Sequence, residues 1–113
     1  MTDREMLELA AKAAGIVGYR YSENFSCMAH WNESDGGWFD ACGLWSSLRD
    51  DGDAFRLAAR LNMDIEINEF FVIVYCPGEL DCIRIELEIK EEKMKTARLA
   101  ITIAAAKAGK EMK

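Results

Sequence analysis

The chain has 113 residues, of which 50% are apolar and 30% charged, with one Pro, four Cys and a formal net charge of -6. That length and balance exclude two independent cores, a fibrous repeat and an intrinsically disordered chain. With 20 acidic residues against 14 basic ones, the long-range field repels phosphate backbones and attracts basic protein surfaces. Nucleic acid is therefore a disfavoured partner, although an acidic balance also serves plain solubility.

The opening, Met1 to Glu5, is polar rather than the apolar core of a signal peptide. No apolar run approaches the roughly 20 residues that cross a bilayer. The expectation is a cytoplasmic protein without a membrane span, its Cys reduced rather than bridged, folding as one domain over 1–113 without a cofactor.

Thr2-Asp3-Arg4-Glu5 has the form of a capping box, and Met6, Leu9, Ala10 and Ala13 recur at helical spacing before Gly15. A first helix is predicted over 3–14. From Ile16 to Cys42 aromatic and β-branched residues lie among Gly, Asn, Asp and Ser, which predicts two or three short antiparallel strands with a turn at Glu33 to Gly37.

Asp50-Asp51-Gly52-Asp53 precedes the stripe Ala54, Leu57, Ala58, Leu61, predicting a second helix that closes near Asn62. Asp64 to Asn68 alternates strictly. Phe70 to Cys76 is an apolar run suited to a strand covered on both faces, and Pro77-Gly78 makes a turn. Ile83, Ile85, Leu87 and Ile89 alternate with charges, giving a strand with one wet face. A last helix is predicted from about Glu91 to Ala108, with acids at its start and Lys107, Lys110 and Lys113 at its end. Its many Ala residues allow close approach of a sheet, or of a second copy in a homodimer through this C-terminal helix. The predicted fold is α+β, an antiparallel sheet of about four or five strands with three helices in the order α-ββ(β)-α-ββ-α.

Three constellations invite a chemical reading. Cys27, His30 and Cys42 are soft ligands that could converge on zinc, but no second close ligand pair follows them, and a buried Cys with an ordinary His accounts for them as well. Cys27 and His30 make a poor nucleophilic pair, because residues three apart on a strand diverge. Asp50, Asp51 and Asp53 could hold a hard cation, yet the cluster is too short for a calcium loop and capping of the second helix explains it better.

Trp31, Trp38 and Trp45 are seven residues apart, but Gly36 and Gly37 rule out a helical seam. Where exposed beside the acidic turn, such residues are anchors for binding, whereas Trp45 suits the core. The candidate binding residues are therefore Trp31, Trp38, Trp45, Asp50, Asp51 and Asp53, with no catalytic set.

The segment Trp45 to Ala58, WSSLRDDGDAFRLA, resembles a group of small proteins of tailed phages and prophages whose middle reads tryptophan, a few polar residues, DDGDA and a short RLA helix. The opening REMLELAAKAAGI and the closing ARLAITIAAAKAGKEM are similar to that group's ends. Ser46 and Ser47 stand where many members carry Asn-Pro. The resemblance implies an accessory gene product in the bacterial cytoplasm and carries no site residues. The expected function is non-enzymatic binding of a host or phage protein, with counter-defence as one form of it; the competing reading is a small-ligand or metal-binding module.

Overall fold

The computed structural model describes residues 2–16, 19–23, 26–32, 37–38, 44–75, 82–87 and 92–112, with 30–32, 37, 38 and 44 described by their backbone alone. Of the turn expected at Glu33 to Gly37, positions 33–36 lie outside these residues while Gly37 begins a strand; the Pro77-Gly78 turn, Cys42 and Cys76 also lie outside them.

Helix α1 spans Asp3–Ala14. The Thr2 hydroxyl accepts the Glu5 amide at 3.1 Å. At the other end Gly15 takes the left-handed conformation (φ 69°), which lets the Ile16 amide reach back to the Ala11 carbonyl at 2.9 Å. Helix α2, Asp51–Arg60, is capped by the Asp50 carboxylate, which accepts the Asp53 amide at 2.8 Å. It closes on Asn62 (φ 54°), and the Met63 amide then donates to the Ala58 carbonyl at 2.9 Å. Replacing Asp50 with Ala leaves that amide unpaired and is expected to cost about 1 kcal/mol, read as a lowered midpoint in urea unfolding.

The α+β class, the three helices and the antiparallel pairing expected from sequence are present; the strands divide between two sheets, one on each side of α2 in the chain. In the first, β2 (Cys27–Asn32) is central. Strand β1 (Tyr19–Ser22) pairs along it, while β3 (Gly37–Trp38) and β4 (Leu44–Trp45) pair with successive parts of β2. In the second sheet β6 (Phe71–Tyr75) lies between β5 (Asp64–Ile67) and β7 (Cys82–Glu86).

Helix α3 runs Lys93–Glu111, beginning two residues later and ending three later than the sequence suggests. Ala97, Ala100, Ile101, Ala104, Ala105 and Ala106 are all fully buried on it. The closest approach is to α1: a Cβ added at Gly109 would stand 2.0 Å from the Leu9 carbonyl oxygen. The small residues that suggested a homodimer seam are thus filled from within the chain, by α1, α2 and the second sheet. One core cluster joins α1, β2, β4, α2, β6 and α3.

Strand β6 corrects the sequence reading. Val72 and Val74 are fully buried under α3, but Phe71 and Ile73 are only half-buried and Tyr75 is 42% exposed. The strand is covered on one face, not two, because one helix layer packs on this sheet.

Candidate functional site

The acidic turn between β4 and α2 is occupied by its own chain. Asp50 caps α2, and Asp51 accepts an Arg98 guanidinium N–H at 2.5 Å. Asp53 accepts the Ser46 amide at 3.0 Å and the Arg56 guanidinium at 2.8 Å. Arg98 also donates to the Leu48 carbonyl at 3.0 Å, and the buried Thr102 and Ser47 hydroxyls pair at 2.7 Å, so the turn is strapped to α3. A hard cation needs carboxylates aimed at one point. Here each aims at an amide or a guanidinium, and no group of metal-ligating side chains converges among the described residues.

Trp45 is 9% exposed, lies opposite Met28 and belongs to the core. Trp31 and Trp38 are paired positions in the β2–β3 backbone register. Cys27 and His30 lie three positions apart on unbroken β2, a spacing that does not bring two ligands together, and Cys42 is outside the described residues.

Burial pushes the Cys27 thiol above its ordinary range; Arg49 pulls against this and Asp53 adds to it. The thiol therefore stays protonated at neutral pH, a poor nucleophile and a poor metal ligand. Because the folded state holds this proton more tightly, its contribution to stability is present below the ordinary thiol range and lost as pH rises through the raised value. Cys82, on an edge strand, is exposed. Iodoacetamide on the native protein is expected to alkylate Cys82 long before Cys27, as read by peptide mass mapping; equal rates would contradict the burial of Cys27.

Two other surfaces stand out. The first is the open face of the β5–β7 sheet. The register sets Phe71 against Glu86, Ile73 between Glu66 and Arg84, and Tyr75 between Asp64 and Cys82. An aromatic and aliphatic ridge is thus rimmed mainly by carboxylates, with the Arg84 guanidinium 4.0 Å from the Phe71 ring centroid and 2.7 Å from Glu86. Phe70, 67% exposed, stands in the turn that leads into β6. Its backbone is firmly held: the Asn68 side chain accepts the Phe70 and Phe71 amides at 2.8 and 2.9 Å, and the Phe70 carbonyl accepts the Leu87 amide at 2.8 Å. A built turn presents the ring, and the exposure is not fraying.

The second is a groove between α1, β1 and α2, with Arg4, Lys12 and Arg20 at one end and Arg56 and Arg60 at the other.

The sequence reading named neither surface. The signal for the first was in its neighbours: strands that alternate apolar and charged, such as Ile83 to Glu86, leave one face wet, and a strand paired between two of them shares that wet face. No helix among the described residues is long and apolar enough to cross a membrane. No protein-family model, curated protein or solved structure matches this chain, so both surfaces stand on its own geometry.

Proposed function

We propose that the chain is a non-enzymatic binding protein, a phage or prophage accessory product that docks on a host or phage protein through the open β5–β7 face. The observation that carries this reading is the open face itself: Phe71 and Ile73 are only half-buried and Tyr75 is 42% exposed, in one row along β6. Leaving such a ridge in water gives the fold nothing, whereas aromatic anchors dominate protein interfaces.

The rim selects the partner. Asp64, Glu66 and Glu86 outnumber Arg84, which is itself tied to Glu86, so the fitting surface has an apolar centre and Lys or Arg around it. A second copy of this face would set carboxylates against carboxylates, which disfavours self-pairing here.

The test is retention of bacterial proteins on immobilised wild type, Ile73→Asp, Tyr75→Asp and Phe55→Ser, the last an exposed aromatic on α2 outside the face. The reading expects at least one protein that wild type and Phe55→Ser retain and both Asp variants lose. Identical retention by all four would refute it.

A further inference from the structure

Five of the chain's 14 cations, Arg4, Lys12, Arg20, Arg56 and Arg60, line one groove, with Glu8 the one carboxylate among the described lining residues. The groove consists of two cavities of about 690 and 440 Å³ that share Gly15, Ile16 and Tyr19. On a chain of net charge -6 this is a basic island. Its floor is apolar and aromatic, built from Ile16, Tyr19, Tyr21, Met28, Trp45 and Leu57.

We propose that this groove binds a small organic anion that joins a planar ring to a phosphate, the chemistry of a nucleoside phosphate. Each cavity has the size of a small-molecule site, roughly 300–1,000 Å³. Guanidinium forks match phosphate oxygens two at a time, and four of the five cations are Arg. Arg4 already lies 5.8 Å from the Tyr21 ring centroid, so charge and ring face are adjacent in the groove.

Lys12 donates to the Met112 carbonyl at 3.0 Å, and the carboxylate partners of Arg4 and Arg56 do not close the groove. The Arg4–Glu8 pair is 2.8 Å long with its side chains 58% and 47% exposed, and Arg56, paired with Asp53, is 74% exposed. The exposed Arg4–Glu8 pair is weak, and Arg56, although its partner Asp53 is 15% exposed, keeps further guanidinium N–H groups beyond that one bond. The carboxyl ends of α1 and α2 bring about half a negative charge each, less than the cations gathered beside them. An inorganic anion would leave the aromatic floor unused, and a nucleic-acid strand would run out of the groove into the acidic field around it. This site is separate from protein docking at the β5–β7 face, and each can fail without the other.

The experiment is calorimetric titration of the wild-type chain with the four common ribonucleoside monophosphates, the matching nucleosides and pyrophosphate, at low and at physiological ionic strength. The expected result is saturable one-to-one binding of at least one monophosphate, roughly tenfold tighter than its nucleoside or pyrophosphate and weaker in salt. Arg56→Glu and Arg60→Glu should each weaken it by roughly tenfold, while Lys95→Glu, the same charge change outside the groove, changes it less than about twofold. Thermal unfolding of each variant establishes that the fold is kept. Absence of saturable binding by all four monophosphates, pyrophosphate binding as tightly as the best of them, or equal affinity in the Arg and Lys variants would each overturn the proposal.

Discussion

Gly109→Ala is expected to destabilise the chain by about 3 kcal/mol, the upper end of what overpacking costs, and to lower the melting temperature by roughly 10 °C. The sign is the informative part. Within a helix the same substitution ordinarily stabilises by about 0.5–1 kcal/mol, because Gly loses more backbone freedom on folding. Gly109 lies inside α3, but its missing side chain makes room for α1: the added Cβ would meet the Leu9 oxygen at 2.0 Å and the Leu9 carbonyl carbon at 2.8 Å. Both obstacles are backbone, so no rotamer change relieves them and the helices must separate. Separation would expose Leu7, Ala10, Ala11 and Ala14 of α1, all buried in the native chain. Thermal unfolding followed by circular dichroism reads the effect, and an unchanged or raised melting temperature would contradict the close contact.

Val72→Asp and Ile73→Asp, adjacent on β6, are expected to differ by several kcal/mol. Val72 is fully exposure-free between Ile67 and Ile85 and under α3, so its replacement buries a carboxylate with no partner. Such a change costs more than about 4 kcal/mol, a large share of the 5–15 kcal/mol typical of a domain, and much of the protein should be unfolded. Ile73 points the other way, between Glu66 and Arg84 on the open face, where a carboxylate stays hydrated. The cost there is the lost strand preference, about 1 kcal/mol or less. Urea midpoints measure both, and comparable losses would mean that β6 is covered on both faces after all.

What the sequence made legible was local. Thr2, Gly15 and Asp50 act through atoms within four residues of themselves, so the bounds of α1 and the start of α2 follow from residue type. Pairing partners across the chain left weaker marks. The Ala-rich face of α3 promised close packing but did not name α1 as its neighbour, and nothing local marks Gly109 as the point where Leu9 comes closest. The run from Phe70 to Cys76 carries no alternation, so periodicity could not say which of its faces is wet.

The acidic turn was legible as a cap, while the link from Asp51 to Arg98 spans 47 residues and had no local signature. The groove was invisible for the same reason, since Arg4, Arg20 and Arg60 come to line one groove only when α1, β1 and α2 pack together.

The central claim, that the aromatic face of the β5–β7 sheet is a docking surface, is tested most directly by titrating a partner retained by the wild type against the wild type and Ile73→Asp, with thermal unfolding recorded on the same samples. The account predicts affinity reduced at least roughly 30-fold, the loss of one interface anchor, with folding nearly intact. Equal affinity in a folded Ile73→Asp protein would contradict it.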